Sequence, residues 1–250
     1  MKAMILAAGL GTRLRPLTDT RPKALVEVGG RTLLEITLAR LRQFGVREVI
    51  INVHHLAEMV IDYLKANNNF GMRIEVSRED ILLDTGGGLK KAAFFFSEHA
   101  EATADDRPFI LHNVDVLTTI DLVRMIDFHD QHRALATLAI KERKTSRYLL
   151  FNEQLELCGR RSGDGSTQEL VRRTAETQAL AFCGIHIIST RLLKMFAEEG
   201  AFPIIDSYLR LAAHGEKVIG FRSDEYYWRD LGRLSDLEQA ALDVNQVPLP

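Results

Sequence analysis

The chain has 250 residues, 46% of them hydrophobic, enough to bury the core of a single α/β domain. Against 34 Asp and Glu, the 32 Lys and Arg leave a formal charge of −2, which speaks against nucleic-acid binding and favours a small-molecule partner. Cys158 and Cys183 have neither CxxC nor metal-ligand spacing, so no disulfide framework or zinc site is expected and a reducing cytoplasm suits them.

Taken in chain order, the first element is the apolar run Lys2 to Ala8, read as a buried parallel strand. Its apolar part, Ala3 to Ala8, is too short for a signal-peptide core or a membrane span, so neither export nor a membrane partner is expected. Thr32 with Glu35 forms a capping box for a helix that presents Leu34, Leu38 and Leu41 on one face and stops at Gly45. The β-branched run Glu48 to Val53 predicts a second strand. A helix follows His55, with Met59, Val60, Tyr63 and Leu64 facing inward. Phe109 to Asp115 predicts a third strand.

From about Ala134 the pieces shorten to ATLAIK, YLLF, LELC and AFCGIHII, which predicts a smaller β-rich lobe or a sheet extension. The polar, glycine-rich stretch Gly159 to Gln168 is expected to be a mobile surface loop. A helix near Ile204 to Leu211, a strand near Val218 to Phe221 and a helix from about Ser235 to Val244 complete the pattern. Strands separated by helices imply right-handed crossovers and a Rossmann-like α/β/α fold with a mainly parallel sheet. Ligands then bind beyond the carboxyl ends of the strands, where the segment after Ala8 and the residue Asp115 both fall.

That segment carries the strongest chemical signal. Gly9 and Gly11 follow a strand and lack β-carbons, so backbone N–H groups can approach an anion closely. Leu14 stands where a dinucleotide loop needs its third glycine, and no Gly-Lys-Ser/Thr follows for a P-loop. Charge is present instead, on Arg13, Arg15, Arg21 and Lys23. Arginine can bind phosphate oxygens with a bidentate fork. Arg15 and Arg21 stay open between that role and solvated surface charge.

Gly9-Leu10-Gly11-Thr12-Arg13 followed by Pro22-Lys23 resembles the signature of the sugar-1-phosphate nucleotidylyltransferases. The resemblance runs through LLDTGGGLKKA, HNVDV, FCGIHIIS and WRDLG, and is nearest in cast to the short bacterial enzymes acting on N-acetylmuramate, heptose or mannose 1-phosphate. It implies a nucleotide-diphospho-sugar transferase type of fold, a single domain over 1–250. A nucleotide-binding core would span about 1–130, a sugar-binding lobe about 131–225, and a return to the core about 226–250. It implies a nucleotidyl group passed from a nucleoside triphosphate, UTP first and GTP next, to a sugar 1-phosphate, with Mg²⁺ as cofactor and a place in nucleotide-sugar supply for the cell envelope.

By the same resemblance Arg13 holds the leaving pyrophosphate and Lys23 the reacting phosphates. Asp115 and Asp230 are the metal ligands and complete the catalytic set. Ala8, Gly9, Gly11, Thr12, Arg13 and Lys23 bind the nucleotide, and Thr85, Gly86 and Gly87 read the base from a turn ahead of a helix. Asn113 and Gly184 bind the sugar. Val114 departs from the family's usual Asn-Gly-Asp. The Glu-Lys-Pro type clamp on the sugar phosphate has no clear counterpart, and Arg143, Lys144 or Arg147 are candidates to replace it. His54, His55 and His112 are read as structural, and Trp228 as core packing beside Asp230.

The chemistry needs no general base, because a phosphate monoester with a second pKa of about 6 is largely dianionic at pH 7. It needs cations that relieve repulsion between two polyanions. Rival readings are cytidylyl transfer to an alcohol phosphate such as phosphocholine, a catalytically silent nucleotide-sugar sensor and a nicotinamide dehydrogenase, the last disfavoured by Leu14. The length leaves no space for the left-handed β-helix acyltransferase domain of some members, so a monofunctional enzyme is expected. The oligomeric state is not legible.

Overall fold

A computed structural model describes residues 1–97 and 106–243. Fourteen strands are seen among them: β1 Lys2–Leu6, β2 Glu27–Val28, β3 Arg31–Thr32, β4 Glu48–Val53, β5 Arg73–Arg78, β6 Pro108–Asn113, β7 Val116–Thr118, β8 Ala136–Lys141, β9 Arg147–Phe151, β10 Leu157–Ser162, β11 Gln168–Leu170, β12 Gln178–Ser189, β13 Val218–Arg222 and β14 Trp228–Asp230. The α-helices are α1 Leu33–Gln43, α2 Ala57–Ala66, α3 Asp84–Lys91, α4 Ala93–Ser97, α5 Leu122–His132, α6 Ile204–Ala213 and α7 Leu234–Asp243. The expected end of α7 at Val244 lies outside the described residues. No helix among them is long and apolar enough to cross a membrane.

The large sheet runs β11-β10-β9-β12-β6-β1-β4-β5, with β8 also paired to β12 and β13 to β8. Strands β6, β1, β4 and β5 are parallel, with largely apolar runs in β1, β4 and β6 and a more polar edge strand in β5, and β12 joins them antiparallel to β6. One apolar layer packs α1, α2, α5 and α7 against one face, including Leu34, Leu38, Val60, Met125 and Leu237. A second packs α3, α4 and α6 against the other, including Leu89, Phe95 and Tyr208. The result is a Rossmann-like α/β/α arrangement.

Local signals explain most boundaries. Thr32 accepts the Glu35 N–H at 3.0 Å and caps α1, while the Glu35 carboxylate turns to Arg31 and Tyr63 instead of closing the box. Gly45 ends the helix at φ 80, with Val46 N–H on the Leu41 carbonyl. In α2, Val60 and Leu64 are buried as expected, but Met59 is exposed and Ala57 takes the inward place.

The expected loop at Gly159 to Gln168 is instead largely a β-hairpin. Strand β10 continues through Arg160 and Arg161 and pairs with β11. Gly159 is there because a β-carbon would lie 2.1 Å from the Glu169 carbonyl oxygen, so its small size permits the strand approach. Polar composition reflects the exposed edge of the sheet, not the absence of a strand.

Candidate active site

The carboxyl ends of β1, β4 and β6 open onto a cavity of about 570 Å³ lined by Ala7 to Gly9, Gly11 to Arg13, Lys23, Asn52, Leu82, Thr85 and Asp115 among others. A larger cavity of about 1130 Å³ lies beside it toward β9, β10 and β12. Arg13, Asp84, Thr85 and Asn113 border both.

The glycine loop is shaped by its own sequence. Gly11 sits at φ 65, and a β-carbon there would lie 2.9 Å from the Thr18 methyl. Thr18 in turn donates to the Gly11 carbonyl at 2.8 Å, and fully buried Leu14 pins the next turn. Leu14 is therefore an anchor at the position where a dinucleotide loop would carry glycine. A β-carbon on Gly9 would meet no atom within 4 Å, so the space beside it belongs to the cavity. The N–H groups of Gly9, Leu10 and Gly11 donate to no atom of the described residues. These are the features of a backbone anion cradle.

The chain then passes Pro22 into a 3₁₀ turn, Lys23–Leu25, which returns Lys23 to the same cavity. There Lys23 Nζ donates to the Asp115 carboxylate, with both side chains largely buried. Arg15 and Arg21 are settled differently: they pair on the surface with Asp19 at 3.2 Å and Glu27 at 3.1 Å.

Asp230 reaches the site through a two-stranded ladder. Strand β14 pairs with β7 so that Asp230 faces Val116, and the Leu231 N–H donates to the Asp115 carbonyl at 2.8 Å. Arg13 lies 3.9 Å from the Asp230 carboxylate, which also accepts the Gly232 N–H at 2.8 Å. Burial and then the Asp115 charge push the Asp230 carboxyl above its ordinary pKa, against the pull of Lys23 and Arg13. A carboxylate whose proton affinity is raised by a second carboxylate beside it belongs to a donor set suited to a divalent cation.

Gly184 occupies an irregularity of β12 at φ 76, and a β-carbon would lie 2.8 Å from Val116 and 2.9 Å from the Asn113 amide. It thus shapes the wall beside Asn113 in the larger cavity.

Thr85, Gly86 and Gly87 are placed differently from the expectation. They belong to the first turns of α3, not to a turn ahead of it. Thr85 Oγ1 accepts the Ile204 N–H at 3.0 Å and so satisfies the first turn of α6. Gly86 and Gly87 give their N–H groups to the Phe202 carbonyl, at 2.9 and 3.3 Å. Their β-carbons would lie 2.3 Å from the Phe202 ring and 2.4 Å from the Gly200 carbonyl oxygen. The glycines are needed for this close packing, and the cavity wall is reached by Leu82, Asp84 and Thr85.

Sequence reasoning missed the polar chain beneath the loop. Asn52 accepts the Ala7 N–H at 2.7 Å and donates to Glu79 at 2.8 Å, and Glu79 accepts the Leu83 N–H at 2.9 Å. This buried chain ties the glycine loop to the start of α3. Its signal was a single amide inside the apolar run EVIINV, where an unpaired polar group is costly. Trp228 packs against the core beside Asp230 as expected, and its half-buried ring also walls the larger cavity with Arg143 over it. His54 and His112 bond backbone carbonyls, in keeping with structural roles, and burial lowers the His112 pKa to about 4.

Comparison with known proteins bears on this arrangement. The nucleotidyl transferase family profile matches residues 2–247. The N-acetylmuramate alpha-1-phosphate uridylyltransferase of Caulobacter vibrioides is 35% identical over 237 residues, 92% of this chain and 91% of that protein. The mannose-1-phosphate guanyltransferase of Yarrowia lipolytica is 30% identical over 240 residues, 94% of this chain but 62% of that one. A putative glucose-1-phosphate thymidylyltransferase structure from Bacillus anthracis shares the fold with TM-score 0.78 at 16% identity, covering 100% of this chain and 97% of that one. Sequence match over nearly the whole chain and a shared fold lead to one conclusion: the chain belongs to the nucleotidyl transferase family, among the sugar-1-phosphate nucleotidylyltransferases.

Proposed function

We propose that the protein transfers a nucleotidyl group from a nucleoside triphosphate, UTP foremost and GTP next, to a sugar 1-phosphate, releasing pyrophosphate. The observation that carries this is the convergence of Arg13, Lys23, Asp115 and Asp230 beside a glycine loop whose N–H groups are free to meet phosphate. The triphosphate lies along Ala8 to Arg13, with its base toward Leu82 to Thr85. The acceptor occupies the larger cavity beside Asn113 and Gly184, in a lobe formed by about residues 131–225.

Each side chain has a task in that reading. Arg13 draws the leaving pyrophosphate toward itself, and Lys23 neutralises the reacting phosphates after exchanging Asp115 for them. No residue is needed to take a proton from the acceptor phosphate. His112, buried and neutral, takes no part. Asp115 and Asp230 would hold Mg²⁺, a fit supported by their mutual charge repulsion. When bound, the ion neutralises phosphate charge and polarises the phosphoryl group under attack. Two free, buried cysteines suit the cytoplasm as the compartment.

The test is pyrophosphate release on mixing the protein with Mg²⁺, each of the four common ribonucleoside triphosphates and a panel of sugar 1-phosphates plus phosphocholine. Release with UTP or GTP and a sugar 1-phosphate is expected. Release only with CTP and phosphocholine, or none from folded protein, overturns the reading.

A further inference from the structure

We infer that Arg143 anchors the phosphate of the acceptor, a role for which Arg143, Lys144 and Arg147 all qualify by sequence. The inference rests on the sugar-1-phosphate reading above. Lys144 and Arg147 are exposed, and nothing among the described residues holds their charged groups in place. Arg143 is different, because three contacts position its guanidinium before any ligand arrives.

Its Nη2 donates to the Phe182 carbonyl at 2.9 Å, its Nη1 to the Lys144 carbonyl at 3.4 Å, and its guanidinium carbon lies 4.0 Å from the centre of the Trp228 ring. Trp228 in turn donates from Nε1 to the Cys183 carbonyl at 2.8 Å. The cation and the aromatic plate beneath it are thus fastened to the same two residues of β12, next to Gly184. Stacking occupies one face of the guanidinium, Nε is buried, and the second N–H of each Nη is left for an anion. A planar fork of that kind matches phosphate better than a flexible ammonium does.

Its location relative to the chemistry is set by β14. Trp228 and Asp230 are two residues apart on that strand, so their side chains leave the same face. Arg143 on its plate therefore lies along the wall that ends at the Asp230 carboxylate, and it shares the larger cavity with Asn113, Gly184 and Asp230.

Charge balance points the same way. Three other arginines of this cavity have carboxylates, Arg13 with Asp230, Arg160 with Glu169 and Asp206, and Arg229 with Asp243, while Arg147, Arg161 and Arg233 also line it without one among the described residues. Arg143 pairs with no carboxylate among the described residues, and its Nε is buried without a hydrogen-bond partner. The Cys183 thiol beside it is no counter-ion, because burial raises its pKa. A half-buried cation without an anion carries a desolvation cost that a bound phosphate removes.

The test separates the two substrates. R143A is expected to raise KM for the sugar 1-phosphate at least tenfold while KM for the triphosphate stays within twofold, and R143K to fall between. Trp228 is the sole tryptophan, so its fluorescence reports on this plate directly. With a non-hydrolysable triphosphate analogue present, sugar 1-phosphate is expected to change the emission of the wild type and not that of R143A at the same concentration. R143Q is read in the same way if R143A does not fold. An unchanged acceptor KM, or equal rises for both substrates, overturns the assignment while leaving the reaction class intact. Absence of pyrophosphate release by the wild type with every pair overturns the reaction class itself.

Discussion

Lys23 donates to Asp115 across 92 positions of the chain, and this pairing joins the cationic arm after the glycine loop to the carboxyl end of β6. The cation and the carboxylate neutralise one another while largely out of water. In the proposed reaction the pair would exchange partners when a triphosphate binds, the ammonium moving to phosphate and the carboxylate to a divalent ion.

The pair makes Lys23 and Arg13 separable from their neighbours in the same loop. K23A and R13A are each expected to lower kcat on the order of a hundredfold, as removal of one preorganised contact to a charged transition state does. R15A and R21A, which remove only exposed ion pairs, are expected to keep kcat within about twofold and to cost about 0–1 kcal/mol of stability. Steady-state pyrophosphate release, with circular dichroism as the check on folding, distinguishes the two sets.

Asp230 is expected to trade stability for function. Its folded pKa is raised, so the stability it contributes is complete below its unfolded pKa and is lost as pH rises through the folded value. D230N without metal is therefore expected to be at least as stable as the wild type at pH 7, by up to about 1 kcal/mol, since the side chain keeps 43% of its surface and solvent screens the charge. The same variant is expected to lose turnover, and to lack the rise in Tm expected of the wild type with Mg²⁺ and triphosphate. A D230N protein melting well below the wild type without metal counts against this account.

The contact of α3 with the Gly200–Phe202 segment gives a stability prediction independent of activity. G86A and G87A force a β-carbon into the Phe202 ring or the Gly200 carbonyl and are expected to cost about 1–3 kcal/mol. T85A removes the acceptor for the Ile204 N–H and is expected to cost about 1 kcal/mol. Urea unfolding midpoints measure all three. A neutral G86A means that the Phe202 ring can shift aside.

Acid stability is set by histidines outside the chemistry. Burial lowers the pKa of His112 and His129 to about 4 and that of His186 to about 3. Between pH 6.5 and 4 the unfolded chain takes up protons that the folded chain refuses, so stability falls as pH falls through that window. Each histidine contributes on the order of 3 kcal/mol by pH 4. Unfolding free energy measured from pH 7 to 4 is expected to drop by several kcal/mol, and H129Q to flatten the slope.

The strands at Lys2, Glu48 and Phe109, the cap at Thr32 and the stop at Gly45 were legible because each rests on a few adjacent residues: an apolar run, a side-chain acceptor, a left-handed glycine. Met59 and the hairpin at Gly159 were misread because burial on α2 and pairing at the sheet edge depend on neighbours far along the chain. In the site, Gly9 and Gly11 after a strand marked a candidate anion loop by local geometry, while Arg13 and Lys23 stood out through the resemblance of the Gly-x-Gly-Thr-Arg and Pro-Lys motifs.

What the sequence by itself determined is therefore the loop, its charges and the family. Only the tertiary structure decided that Asp115 and Asp230 meet, through the β7 and β14 ladder, and that Arg15 and Arg21 face solvent. It also decided that the glycines at 86 and 87 serve helix packing and that Arg143 is fixed on Trp228. The physical reason is that turn and strand propensities act over a few residues. Charge pairing and close packing depend on distances that exist only once distant strands have found their register.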